Sequence, residues 1–191
     1  MTDLSIGIGR HELSSRGDDL YETPPVAVGA LLRVEALPHS IWEPACGPGA
    51  IAGVLRKHGH EVIATDLVDY VSMEQDWHGW DFLMERECPK GVEAIVTNPP
   101  FKNSNEFVAH ALRLCPKVVM LLRLAFLESE ARSEILDSGW LARVHVFRKR
   151  LPMMHRKGWD GPKHANSGMA FAWFVWDRDH KGPTELHRVS W

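Results

Sequence analysis

The sequence predicts an α/β fold, a mainly parallel sheet of seven strands whose last two form an antiparallel hairpin. Three observations predict it. Short apolar runs of strand length, such as 92–96 and 118–122, alternate with segments whose apolar residues recur at helical spacing. A glycine turn, Gly47-Pro48-Gly49, joins one such strand to a helix. Asp66, Asp81 and Asn98 stand at the ends of successive strands, on the edge where open parallel sheets bind ligands.

Residues 1–20 are polar and without clear periodicity, and read as an N-terminal arm. Tyr21-Glu22-Thr23-Pro24-Pro25 leads into a short buried helix over 26–37, with Thr23 as N-cap and Pro24 at the first helical position. A first strand then enters Glu43-Pro44-Ala45-Cys46-Gly47-Pro48-Gly49, and a helix follows to about His58. Gly47 and Gly49 let the backbone turn sharply and come close to a ligand, at which the helix aims its N-terminus. Strand two, 61–65, ends at Asp66 with Leu67 beside it. A carboxylate there is placed to accept ribose hydroxyls in a nucleotide-type βαβ unit, so the first half is shaped for an adenosine-containing ligand.

Asp81-Phe82-Leu83 is read as the end of a short third strand, with Asp76 as an alternative acidic residue. Strand four, 92–96, runs into Thr97-Asn98-Pro99-Pro100-Phe101. Neither proline has an N–H to donate, so the loop is stiff and offers acceptors, the Asn98 amide oxygen and a main-chain carbonyl, beside an aromatic ring. A helix over 105–114, strand five over 118–122 and a helix over 128–136 closed by Gly139 follow. Strands six and seven cover 140–147 and 169–176. The basic loop 148–167 lies between them and carries Arg148, Lys149, Arg150, Arg156, Lys157 and Lys163 with Trp159. It reads either as a solvated loop or as a phosphate-contacting surface with a stacking tryptophan.

A chain of 191 residues without repeats or low-complexity linkers is expected to be one domain, 1–191. Its longest apolar run, 118–127, is broken by Arg123, and no basic-then-apolar leader opens it, so the expected compartment is the cytoplasm, with no membrane partner. Residues 1–100 carry 7 Lys and Arg against 16 Asp and Glu, and residues 101–191 carry 15 against 9, which hints at a polyanionic partner for the second half. Three cysteines without a CxxC pair argue against a disulfide framework, and Cys46 reads as a small residue lining the turn. The eleven histidines form no ligand set at zinc-site spacing, so no metal is expected. A GxSxG elbow is absent, and the strand-four loop has no cysteine nucleophile.

The glycine turn alone fits NAD-binding proteins too, although G-x-G-x-x-x-G misses their fingerprint by one position. The order Glu43 to Gly49, Asp66, Asp81 and Asn98-Pro99-Pro100-Phe101 resembles the S-adenosylmethionine-dependent amino-methyltransferases, specifically the DNA N6-adenine and N4-cytosine group with its Asp/Asn/Ser-Pro-Pro-aromatic loop. The resemblance covers roughly residues 18–127 by motif. Small phage and prophage enzymes are similar in lacking a separate recognition domain. The resemblance implies a Rossmann-like class I methyltransferase domain with S-adenosylmethionine as cofactor. Glu43 and the Gly47 to Gly49 backbone would hold its methionine end with Thr23 assisting the carboxylate, Asp66 would accept the ribose hydroxyls, Asp81 with Phe82 would address the adenine, and Tyr21, Pro44, Ala45, Cys46 and Leu67 complete the implied cofactor-binding set. Asn98, Pro99, Pro100 and Phe101 would hold the base amine. The implied substrate is an exocyclic base amine, with adenine N6 in DNA ahead of RNA base amines and protein glutamine, which share the loop. Arg148, Lys149, Arg150, Arg156, Lys157, Trp159 and Lys163 would contact nucleic acid, and a partner subunit or second copy could supply target recognition. A non-catalytic nucleic-acid-binding module on the same fold is the reading from another class.

Overall fold

The computed structural model describes residues 21–155 and 168–191. The arm 1–20 and, from the basic loop, Arg156, Lys157, Trp159 and Lys163 lie outside the described residues.

Seven strands form one sheet: β2 (Ser40–Glu43), β3 (Glu61–Ala64), β4 (Ala94–Thr97), β5 (Lys117–Arg123), β6 (Leu141–Phe147), β8 (Phe171–Asp177) and β9 (Glu185–Val189), in the spatial order β3-β2-β4-β5-β8-β6-β9. A separate two-residue ladder pairs β1 (Tyr21–Glu22) with β7 (Met154–His155). β3, β2, β4 and β5 run parallel, β8 lies antiparallel between β5 and β6, and β9 runs parallel to β6 at the edge. The chain thus winds outward from β2 to β3 and then returns to place β4 on the other flank of β2. That reversal is the switch point at which an open α/β sheet leaves a crevice beyond its strand ends.

Alternation along the central strands explains why both faces are covered. In β5, Val119 and Leu121 point to one core, and Val118, Met120 and Leu122 to the other; in β8, Trp173 and Val175 oppose Ala172, Phe174 and Trp176 in the same way. Helices α1 (Pro25–Leu32) and α2 (Ala50–Lys57) cover the first face through Ala27, Val28, Leu31, Ile51, Ala52 and Leu55. Helices α3 (Ser104–Leu114) and α4 (Ser133–Leu136) cover the second through Phe107, Val108, Ala111, Leu112 and Ile135.

The fold class is as the sequence predicts, but four elements differ from their expectation. Asp81-Phe82-Leu83 does not end a strand: Asp81 Oδ1 accepts from the Leu83 N–H at 3.0 Å and starts a 3-10 turn over Phe82–Met84. The seventh strand of the sheet is β9 instead, so β6 and β8 pair antiparallel but are followed by one more strand. Helix α1 begins close to its expected start but is shorter, with Pro24 in the N-cap position and Pro25 in the first turn, while Thr23 makes no capping bond. Over 128–136 only the turn Ser133–Leu136 is α-helical, preceded by a 3-10 turn at Glu130–Arg132. No helix among the described residues is long and apolar enough to cross a membrane.

Candidate active site at the switch point

The C-terminal ends of β2 and β4 flank a cavity of about 300 Å³, within the range of small-molecule sites. Its walls come from four segments. β1 with Thr23 closes one side, the glycine turn after β2 forms the floor, the segment from Asp66 to Leu83 the second side, and the loop Asn98 to Phe101 the third. Of the twelve expected cofactor residues, Tyr21, Thr23, Glu43, Pro44, Ala45, Cys46, Gly47, Asp66, Leu67, Asp81 and Phe82 line it, as do all four residues of the Asn-Pro-Pro-Phe loop.

Gly49 is the exception, and its reason for being glycine is different from the expected one. It has φ +88°, and a Cβ built there would stand 2.2 Å from the Glu74 Cβ. The close neighbour in the structure is therefore another part of the chain. Arg56 holds that part in place, donating to the Glu74 carbonyl at 2.8 Å and to Asp76 Oδ2 at 2.6 Å. Asp76 also accepts from the Ala64 N–H at 2.7 Å and lies away from the cavity wall, so of the two acidic alternatives Asp81 is the one at the cavity.

The acidic residues at the floor are arranged by backbone donors. Glu43 is 1% exposed, and its Oε2 accepts from the Ala52 N–H in the first turn of α2 at 2.7 Å. Burial pushes its carboxyl well above the ordinary range, the Ala52 hydrogen bond opposes that, and the nearby Asp66 charge adds to it. Asp66 Oδ2 accepts from the Gly47 N–H at 2.8 Å and Oδ1 from the Val68 N–H at 3.0 Å. Asp66 thus pins the glycine turn as well as facing the cavity. Burial, reinforced by Glu43 and Asp66, pushes the Cys46 thiol far up, which keeps it a neutral lining residue.

At the third wall, Asn98 Nδ2 donates to the Tyr21 carbonyl at 2.8 Å, while Asn98 Oδ1 is buried without a hydrogen-bond partner. Phe101 packs 4.6 Å from the Tyr21 ring and 5.7 Å from that of Phe171, centroid to centroid, and the Arg123 guanidinium carbon lies 4.4 Å from its centroid. The ring is part of an aromatic and cationic cluster and not a bare platform. Arg148, Lys149 and Arg150 are exposed and do not line the cavity; Lys149 Nζ sits 4.8 Å from the Trp191 ring.

Sequence reasoning missed Trp80, Tyr70, Asn103 and Phe107 at the cavity. Trp80 directly precedes Asp81 and was detectable by that adjacency. Phe107 was read only as an apolar helix position, because facing a cavity and facing a core leave the same periodic signal.

No protein-family model matches the chain, and no curated protein does. Solved structures do. A modification subunit of a putative type I restriction enzyme from Vibrio vulnificus superposes with a TM-score of 0.63 at 14% identity over 90% of this chain and 47% of its own. A putative RNA methyltransferase from Pyrococcus horikoshii gives 0.59 at 14% identity, over 82% and 86% of the two chains. A putative class I S-adenosylmethionine-dependent methyltransferase from Listeria monocytogenes gives 0.58 at 13% identity, over 86% and 62%. The chain spans about half the length of the first of these and less than two thirds of the third. At this identity the likeness is one of architecture: the chain has the Rossmann-like fold of the class I methyltransferases.

Proposed function

We propose that this chain is an S-adenosylmethionine-dependent methyltransferase acting on an exocyclic base amine, with adenine N6 in DNA as the leading substrate. The observation that carries this is the orphaned Asn98 Oδ1. Its amide nitrogen is already committed to the Tyr21 carbonyl, so the oxygen is left as a buried acceptor beside two prolines that have no N–H to give it. A buried acceptor without a donor costs about 1–3 kcal/mol, and an amine N–H entering the cavity relieves that cost.

The residues at the floor fit the cofactor. Glu43 offers a buried carboxyl to an ammonium group, and Asp66, which lines the cavity, offers the carboxylate acceptor that ribose hydroxyls need. Asp81, Phe82 and Trp80 border the space suited to an adenine ring. When bound, S-adenosylmethionine would supply an electrophilic methyl group, whose bond to sulfur breaks on transfer to leave S-adenosylhomocysteine. The chain's own residues then do two things. Asn98 Oδ1 and the Pro99 carbonyl accept the two amine hydrogens, which draws the nitrogen lone pair out of the base ring and toward the methyl carbon. Pro100 and the Phe101 cluster hold the base edge in that orientation, so positioning supplies much of the rate. The amine proton leaves to water after transfer, since an amide oxygen is no base.

The name of the Vibrio vulnificus structure, a modification subunit, supports DNA and a partner subunit for target recognition; that of the Pyrococcus horikoshii structure supports RNA as the next reading. On this proposal residues 1–191 act as one catalytic domain. Incubation with tritiated cofactor and DNA, ribosomal RNA or release-factor protein tests it, and label is expected in DNA. Label confined to protein would overturn the base-amine reading. Asn98→Ala is expected to lower turnover by at least about a hundredfold while leaving S-adenosylhomocysteine affinity within a few-fold, as isothermal titration would show.

A further inference from the structure

Five arginines among the described residues are half-buried: Arg56, Arg123, Arg132, Arg143 and Arg178. Four of them are spent on the fold. Arg56 donates to Glu74 and Asp76, Arg132 to Asn105 Oδ1 and the Phe126 carbonyl, Arg143 to both oxygens of Glu35, and Arg178 to the carbonyls of Leu112 and Arg113. Arg123 is different. Its side chain has neither a hydrogen-bond partner nor a carboxylate within ion-pair distance among the described residues, and its Nε, like that of Arg178, is buried and unpartnered.

Position makes that difference meaningful. Arg123 is the last residue of β5, the strand beside β4, at the sheet edge that bears the cavity. Its guanidinium lies over the ring of Phe101, which lines the cavity. An aromatic face holds a guanidinium flat and leaves its edge of N–H donors free. That edge matches a group with two in-plane oxygens, and a phosphodiester is such a group. The surroundings favour phosphate over a protein carboxylate. Leu151 and Met153 are buried in the core against which Phe101 packs, and the segment that carries them has no Asp or Glu between residues 138 and 159.

We infer that Arg123 is a substrate-binding residue that grips the backbone phosphate next to the base held by Asn98, and that the substrate is therefore a polynucleotide rather than a free nucleoside or a protein. This rests on the base-amine reading above, and it adds a contact that the reading does not contain. Phe101 on this view also stores the guanidinium in a flat, donor-outward pose when no phosphate is present.

The test uses the full chain, a short fluorescent single-stranded oligodeoxynucleotide and its duplex, with anisotropy as the signal. Arg123→Met keeps the stem packing and removes the charge. It is expected to weaken binding by roughly tenfold or more and to lower the slope of log affinity against log salt by about 0.7 to 0.9, one phosphate contact. Arg123→Lys is expected to restore the slope but not the full affinity, because a point charge replaces the fork. Unchanged affinity and slope in Arg123→Met, or no oligonucleotide binding by the parent chain, would overturn the inference. Loss of label transfer to release-factor protein instead of to the oligonucleotide would also overturn it, in favour of a carboxylate contact. S-adenosylhomocysteine titration of all three proteins separates the two claims: no binding in any of them defeats the methyltransferase reading, while the oligonucleotide titration still decides Arg123.

Discussion

Glu43 shows how a residue can be conspicuous in sequence and yet change its meaning in the fold. It stands just before the glycine turn, but only the structure shows it sealed from water with a single backbone donor. Burial raises its pKa and so favours the protonated form in the free chain. A cationic ammonium bound beside it favours the ionised form, so binding displaces whatever proton the carboxyl holds. S-adenosylhomocysteine titrated in buffers of different ionisation enthalpy is therefore expected to show net proton release that Glu43→Gln abolishes, with affinity rising as pH rises. Equal proton counts in the two proteins would refute that placement of the ammonium. Asn98 was equally plain in sequence, and its loop chemistry was legible. Its bond to the Tyr21 carbonyl was not, because the two residues are far apart along the chain and no local pattern encodes a tertiary hydrogen bond. Arg123 was visible only as a break in an apolar run.

Among the elements, the parallel strands were readable because their both-sided burial leaves continuous apolar runs, as in β4 and β5. β9 was not, since four of its five residues are exposed at the sheet edge, and the run Glu185-Leu186-His187-Arg188 carries no core signal. The Asp81 segment misled for the converse reason: Phe82 is only 2% exposed, but from a 3-10 turn started by its neighbour. The glycine turn allows a controlled experiment. Gly49 and Gly59 share φ +88°, yet a Cβ at Gly59 meets nothing within 4 Å whereas one at Gly49 meets Glu74. Gly59→Ala is expected to cost about 1 kcal/mol from left-handed strain alone, and Gly49→Ala at least about 2 kcal/mol more, read from urea unfolding. Equal costs would mean that the Ser72 to Asp76 stretch does not hold its place against α2.

At the scale of the whole molecule, the sheet edge opposite the cavity is fastened by one carboxylate. Glu35, just after α1, accepts from Lys117 at the start of β5 at 2.9 Å, from Arg143 of β6 at 2.8 and 2.9 Å, and lies 3.3 Å from His145 Nε2. Burial would raise its pKa, but the bonds from His145, Arg143 and Lys117 outweigh that and hold it far below the usual carboxylate range. A depressed carboxyl contributes stability that is present above its unfolded value of about 4.3 and is lost as pH falls through the folded value. The chain is expected to lose stability progressively below about pH 4, and Glu35→Gln, which leaves Arg143 without its carboxylate while Lys117 keeps Asp177 and the Ala36 carbonyl, to cost roughly 3–5 kcal/mol at neutral pH while flattening that acid limb. Thermal melts across pH check both. The β1–β7 ladder has a different consequence. It joins Tyr21 to His155 and Glu22 to Met154 by two residue pairs only, whereas β5 and β8 share seven. Closing so long a chain loop with so few bonds makes this wall the last part of the cavity to assemble and the first to fray, while the sheet beneath stays folded. If that wall serves as the entrance, amide hydrogens at residues 21–22 are expected to exchange faster than those of β5 and to slow when S-adenosylhomocysteine is bound, while the sheet beneath is unaffected.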